Sequence, residues 1–542
     1  MIRIDRRQLI ATSAFGLGGL MFPGGRATAQ ILNTAMGFTH NVASGEPDVE
    51  SVLLWTRYVS GGKAARVRAE IAETPDFARI VARNEMITGP WRDWTVKITL
   101  DGLQPGRRYH YRFFGEDGSV SPVGRTKTLP TGAVGNFAIG VVSCSNLPAG
   151  IFNAYGHAAA RDDIDLMLHL GDYIYEYQRG GYPSDNPRWD LVQPPSETVH
   201  LADYRMRYAS YRADPDLQAV HNRHPMIMSM DDHESTNDSW EGGAQNHQTE
   251  EGDWSTRKMA ALQAYREWMP VDDMPYKTYE IGGLATLFRT DTRLLMRSAP
   301  PEPQALFAAP DVQAALAKYK RESWADPAAT MMGTTQESWL AHGLRASTRA
   351  RKRWQVVGTG TIMGETYMPA QAANWLAKDV PERNRRYTLG GIELAKAGLP
   401  FNFDNWGGYP AARARLLSAA QTASANLIML AGDSHNAWAY ELSNGGRPAG
   451  VEFAGQAVSS AGYESSTRGI DPKIIEAAIV KSSPELKWAD TSRRGYMRLS
   501  LTPAAATNEW VFMQTVTARS LAVDQVHKMR VKPGVAKLEK AA

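Results

Sequence analysis

Four largely apolar stretches, residues 137–142, 164–170, 225–230 and 427–431, each run directly into side chains able to bind a metal ion. A strand can be apolar along its length only where both of its faces are covered, as in the helix-flanked sheets of α/β proteins. The residues that follow are Cys144, then Gly171-Asp172, then Asp231-Asp232-His233-Glu234, then Gly432-Asp433-Ser434-His435. In such sheets ligands gather just beyond strand ends, where loops carry polar groups that a buried strand cannot. The four ends are therefore expected to meet.

With 542 residues the chain exceeds one ordinary core, so more than one domain is expected. Short strand-like segments, separated by turn signals such as Gly61-Gly62, Asp101-Gly102 and Pro105-Gly106, fill residues 37–130. They predict a β-sandwich of fibronectin or immunoglobulin type. After Pro130-Thr131-Gly132 the apolar runs alternate with helical patterns, which places an α/β catalytic domain over residues 135–520. The patterns predict helices over 201–213 and 256–269 and an active-site loop over 178–200. The tail from residue 523 is basic and shows no clear period.

Residues 1–29 read as a twin-arginine export signal: Arg6-Arg7, an apolar stretch over 9–22, and Ala27-Thr28-Ala29 for cleavage. That stretch is broken by glycines and falls short of the roughly 20 apolar residues needed to cross a bilayer, so no transmembrane anchor is expected. A periplasmic or secreted protein follows. Removing the signal takes 60 basic and 57 acidic residues to 56 of each. A near-neutral protein lacks the basic excess that nucleic-acid binding by phosphate neutralisation requires.

Cys144 is the single cysteine, so no internal disulfide can form. By composition it reads as a buried small hydrophobe; its place after an apolar strand makes it equally a candidate metal ligand. Phosphate esters resist hydrolysis because the nucleophile must approach an anion, and metal ions generate hydroxide at neutral pH while neutralising the phosphate oxygens. Asp172 stands where a shared carboxylate is needed, after a glycine that permits a tight turn, although aspartate is also a favoured helix cap. Tyr175 is either a packing residue or a phenolate ligand. A thiolate beside a phenolate favours a strongly Lewis-acidic ion such as ferric iron, while aspartates favour calcium, manganese or magnesium. Asp232 is read as a ligand within the catalytic pair Asp232-His233, with His233 donating a proton or steadying the transition state. His435 suits iron and Asp433 a second ion. Arg161 and Arg293 are candidates either for phosphate binding or for structural ion pairs.

The motifs Phe38-Thr39-His40-Asn41-Val42-Ala43-Ser44-Gly45-Glu46-Pro47, Ser143-Cys144, Gly171-Asp172-Tyr173-Ile174-Tyr175-Glu176, Asp231-Asp232-His233-Glu234, Asp291-Thr292-Arg293 and Gly432-Asp433-Ser434-His435-Asn436 occur in that order. Over residues 37–465 the chain resembles the alkaline phosphatase D (PhoD) family of the metallophosphoesterase superfamily. The resemblance implies an N-terminal β-sandwich followed by a four-layer αββα metallophosphoesterase domain. It implies an alkaline phosphatase using a metal-bound hydroxide on phosphomonoesters, with Fe(3+) held by Cys144, Asp172, Tyr175 and His435. Ca(2+), or Mn, Zn or Mg in its place, would be held by Asp172, Asp232 and Asp433, and His233 would face the phosphate. A phosphodiesterase or phospholipase of the same fold is the alternative reading, and a non-enzymatic surface-binding protein the remaining one. The expected partners are small-molecule phosphate esters and the twin-arginine translocation machinery, with the chain a monomer. Two features depart from the family pattern: Gly407 follows Trp406 where the family has aspartate, and the tail beyond about residue 465 has no match; Cys144 and Asp433 stand where the wider superfamily uses other ligands, as the family itself does.

Overall fold

A computed structural model describes residues 35–62, 64–182, 188–376, 378–467 and 469–541; the export-signal residues lie outside them. The first seven strands are β1 (Gly37–Gly45), β2 (Ser51–Val59), β3 (Ala65–Ala72), β4 (Ile80–Thr88), β5 (Thr95–Asp101), β6 (Arg108–Phe114) and β7 (Gly124–Lys127). They form the expected sandwich: β4-β3-β6-β7 makes one sheet and β1, β2 and β5 pair in the other. Alternate residues turn inward, among them Val67, Ile71, Tyr109, Tyr111 and Phe113 from one sheet and Val52, Leu54, Val96 and Ile98 from the other.

The second region opens with β8 (Phe137–Val142), β9 (Leu166–His169) and β10 (Met226–Met228), which are parallel neighbours. A seven-stranded sheet follows, made of β11 (Lys277–Ile281), β12 (Ala285–Arg289), β13 (Trp354–Gly358), β14 (Leu427–Ala431), β15 (Ala437–Asn444), β16 (Arg447–Ala454) and β17 (Leu486–Asp490). Within it β12, β13, β14 and β16 run parallel. The chain then returns to the first sheet with β18 (Gly495–Leu501), β19 (Ala506–Met513), β20 (Val523–Lys532) and β21 (Val535–Lys540). The tail that showed no period is thus an edge hairpin, and the sheet runs past residue 520.

The two sheets pack face to face through Ile139, Val141 and Leu168 on one side and Leu287, Val356, Ile428 and Val451 on the other. Every residue of β8 and of β14 is buried, as strands covered on both faces must be. Helices cover the outer faces. Leu201–Arg212 and Trp254–Trp268 put Tyr204, Tyr208 and Trp268 on the first sheet. Gly333–Arg349 and Pro410–Ala423 put Leu340, Leu344, Leu416 and Leu417 on the second. The result is the four-layer αββα arrangement.

The sandwich is joined to this body through the backbone. In the ten-stranded sheet β1 lies beside β10, in parallel, with Gly45 opposite Met226. The approach is so close that a Cβ on Gly45 would stand 2.0 Å from the Pro270 carbonyl oxygen, which requires glycine there. Trp55 donates its indole N–H to the Glu267 carbonyl (2.9 Å), and Lys97 Nζ donates to the carbonyls of Arg266 (2.8 Å) and Val271 (2.6 Å).

Candidate metal centre

The ends of β8, β9 and β10 in one sheet and of β14 in the other open toward one place. Four residues there hold left-handed backbone: Cys144 (φ 58°), Asp172 (φ 56°), Asp433 (φ 61°) and His435 (φ 61°). Such backbone costs a non-glycine residue about 1–3 kcal/mol and persists only where its surroundings fix it. They do so here. The Cys144 amide donates to the Gly171 carbonyl (3.1 Å) and the Ser145 amide to the Asp172 carbonyl (2.9 Å), tying the first two ends together. The Gly432 amide donates to the Gly360 carbonyl (2.8 Å). Gly432 is also the point where the two sheets' ends touch, since a Cβ on it would lie 2.7 Å from Ser143.

Cys144, Asp172 and His435 bring ligand atoms within 4.8 Å of one another. Tyr175 closes this group: its hydroxyl donates to Asp172 Oδ2 (2.9 Å), accepts from Ser460 Oγ (2.7 Å) and lies 3.2 Å from His435 Nε2. His435 Nδ1 lies 2.8 Å from the Ala461 carbonyl and donates to it, which leaves Nε2 with its lone pair toward Tyr175 and Asp172. Burial, reinforced by Asp172, pushes the Cys144 thiol well up, and the same two causes push up the Tyr175 phenol. Burial also holds the Asp172 carboxyl well above its usual range and lowers His435 to about 4.

The Asp231-to-Glu234 segment divides its labour. Glu234 accepts backbone N–H bonds from Asp172 (3.1 Å), Tyr173 (2.6 Å) and Asp231 (2.8 Å), so it shapes the turns. His233 Nδ1 bonds Glu176 Oε2 at 2.6 Å, and its ring stacks on Tyr175 at 4.2 Å. Burial opposes charge on His233, but Asp232, Glu176 and Asp172 outweigh it and raise the imidazole well above its ordinary value. Asp232 belongs to three groups of close ligand atoms: with Asp172 and His233, with Asp231 and Asp433, and with Asp238 and Asp404. Burial would raise it; His233 and Arg293 overcome this and hold it below the usual carboxylate range.

Arg293 runs through the middle of this second neighbourhood, fully buried. Its Nε donates to Asp231 Oδ1 (2.5 Å), Nη1 to Asp404 Oδ2 (2.6 Å) and Nη2 to Asp433 Oδ1 (3.2 Å), with Asp232 Oδ1 3.8 Å away. Arg297 donates to Asp404 Oδ1 at 2.6 Å.

All seven residues singled out in the sequence, Cys144, Asp172, Tyr175, Asp232, His233, Asp433 and His435, therefore lie in one cluster. Of the two arginines weighed for phosphate, Arg293 is engaged by aspartates, while Arg161 pairs with Asp163 (2.6 Å) and Glu509 (3.5 Å) elsewhere. Sequence reasoning missed Glu176, Asp238, Asp404 and Ser460. Glu176 closes the Gly171–Glu176 motif and carried a signal; the others arrive from distant loops and carried none. The donor set fits cations. Asp172 Oδ1 is buried with no hydrogen-bond partner, and a thiol, a phenol and an imidazole converge beside it.

The chain is similar to known proteins over most of its length. Residues 137–510 match the family described as PhoD-like phosphatase, and residues 25–130 match its N-terminal domain. The chain is 31% identical over 522 residues to alkaline phosphatase D of Bacillus subtilis (strain 168), spanning 90% of this chain and 79% of that protein. It superposes on the structure of PhoD with a TM-score of 0.77 at 28% identity, covering 94% of this chain and 93% of the other. Purple acid phosphatase PPD1 from yellow lupin (Lupinus luteus) seeds shares the fold, with a TM-score of 0.53 and 12% identity over 91% of this chain and 74% of that one. A phosphatase fold, a matched family over most of the chain and converging strand ends give one conclusion: the chain is an enzyme and belongs to the PhoD-like phosphatase family.

Proposed function

We propose that the protein is an exported, metal-dependent alkaline phosphatase acting on phosphomonoesters, with ferric iron and calcium as its ions. The observation that carries this is Asp172. It is common to the group with Cys144 and His435 and to the group with Asp232 and His233, the position of a carboxylate shared by two ions, and its Oδ1 has no protein partner. Cys144, Asp172, Tyr175 and His435 would hold iron, and Asp172, Asp232 and Asp433 calcium. Bound metal ions supply a nucleophile at neutral pH and positive charge against the phosphate oxygens.

The remaining work falls to the chain itself. Glu176 fixes His233 through Nδ1, and Asp232 with Glu176 keeps it protonated. Nε2 is then the nitrogen left to hydrogen-bond a phosphate oxygen or to hand a proton to the departing alcohol. Arg293, held among aspartates, keeps Asp231, Asp232 and Asp433 from repelling one another. Elemental analysis with an absorption spectrum tests the reading: iron and calcium bound, and a tyrosinate-to-iron charge-transfer band lost in Tyr175→Phe, are expected. Chelation should stop phosphate release and the same ions should restore it. An Asp172→Ala protein that still releases phosphate at the wild-type rate would sink the proposal.

Export rests on Arg6-Arg7 and the apolar stretch behind them. A buried centre is filled as the chain folds, because its ligands come together only then, which suits a route that carries folded proteins. Replacing Arg6 and Arg7 by lysine should leave active enzyme in the cytoplasm; unchanged export would remove this part.

A further inference from the structure

The rim of the cluster carries aromatic rings that hydrolysis itself does not use. On one side Tyr177 lies 5.5 Å from the His233 ring and 5.6 Å from Tyr182. On the other, Trp438 donates its indole N–H to Ser434 Oγ (2.7 Å), between Asp433 and His435. Tyr463 meets Trp438 edge-on at 6.2 Å, Phe401 lies 6.5 Å from Tyr463, and Tyr387 packs on Phe401 at 4.5 Å. The series leads from the ligand loop to Tyr387, on the helix Glu382–Lys396, whose side chain is half exposed.

Each group of rings lies beside carboxylates of the cluster, and Asp238 is common to the two. Desolvation of its hydroxyl end, then Tyr463, Asp238, Asp433 and Asp404, hold Tyr387 well above its ordinary ionisation range. Burial, then Glu176 and Asp232, do the same for Tyr177. Half-buried and exposed aromatic surface beside these carboxylates serves no purpose for an inorganic phosphate, which needs water and cations around it. Aliphatic walls would suit an acyl chain; tyrosines instead offer flat π faces with a hydroxyl that tolerates water at the rim.

We propose that this mouth selects phosphate esters whose leaving group carries a planar, nucleobase-sized aromatic ring, stacked against Tyr177 and Tyr182 or against Tyr387, Phe401 and Tyr463. The inference rests on the hydrolase reading above.

Adenosine 5′-monophosphate and ribose 5-phosphate present the same primary phosphomonoester with and without such a ring. The metal-loaded wild-type protein is expected to show a kcat/KM about tenfold higher for the nucleotide, the worth of one modest base–aromatic stack. Tyr387→Ala or Tyr177→Ala, whichever removes the platform that takes the ring, should bring that ratio close to one, and Tyr387→Phe should keep it. A wild-type ratio near one, or a ratio unchanged in both Tyr387→Ala and Tyr177→Ala, overturns the inference. Hydrolysis of para-nitrophenyl phosphate by the same preparation reads the underlying activity separately. If it is absent the hydrolase reading falls and this inference with it; if it is present with a ratio of one, only the inference falls.

Discussion

Around Asp172 and around Arg293 the cluster holds buried negative charge by opposite means. Among the described residues no arginine or lysine pairs with Asp172, whose nearest basic group is His435 at 4.0 Å. A few residues away, Arg293 reaches Asp231, Asp232, Asp404 and Asp433. The Arg293 neighbourhood carries a permanent cation, while the Asp172 neighbourhood has only the His233 imidazolium beside it and otherwise keeps its charge down by holding protons on Cys144, Asp172 and Tyr175. A buried ionised group without a partner is too costly to persist, so the Asp172 neighbourhood is the one most in want of positive charge, which the proposed ions would supply, while Arg293 already offsets part of the charge around it.

That contrast can be broken most directly at Asp172. Asp172→Asn should lower the rate of phosphate release by roughly a thousandfold, the several kcal/mol that metal-ion stabilisation supplies. The metal-free variant should unfold no more easily than the metal-free wild type, because asparagine accepts left-handed backbone and removes a buried carboxyl. Arg293→Met should do the reverse, costing about 3–5 kcal/mol of folding stability, as removing one partner of a buried ion pair does. Denaturant unfolding checks both, and equal stability losses in the two variants would erase the distinction. Glu176→Gln sharpens the comparison without touching a ligand: kcat should fall about 10–100-fold, the usual effect of an orienting partner, with the basic limb of the pH profile moving to lower pH as His233 loses its carboxylate.

The smallest effect is the pH dependence of the metal-free protein. Burial raises Asp231 to about 6 and Asp238 to about 7, above their values in the unfolded chain. The folded state therefore binds more protons than the unfolded state in this window, and stability falls as pH rises from about 4 through 7. The loss should come to about 1–3 kcal/mol, because each tenfold gain in proton affinity is worth roughly 1.4 kcal/mol and neighbouring carboxyls share their protons. Thermal melts of metal-free protein at pH 5 and pH 8 measure it, and saturating calcium should flatten the slope. A melt that rises over that range would mean the carboxylates are better compensated than Arg293 alone allows.

What could be read from the sequence follows the same divide. β8, β9 and β14 are buried along their whole length, so they appear as apolar runs, and the ligands stand just after them. Cys144, Asp172, Asp433 and His435 were legible for that reason. Asp238, Asp404 and Ser460 were not, because each reaches the cluster from a loop with no periodic element to point it there. Arg293 was visible as a residue, yet its role depends on four aspartates brought together from separate segments. The edge hairpin β20–β21 escaped because the first residues of β20, Val523 to Val526, are all exposed, which erases the alternation by which a strand is recognised. The sandwich was legible but its attachment was not, since one register pair, Gly45 with Met226, leaves no pattern in either segment.

That attachment has a consequence for the protein as an object to be cut and handled. A version begun after residue 130 would leave β10 at the border of its sheet with unpaired amides and carbonyls, the feature by which folded proteins recruit one another into aggregates. The first domain is in this respect a guard on an edge. Its removal is expected to give a protein that self-associates, even with every residue of the candidate metal cluster still in place.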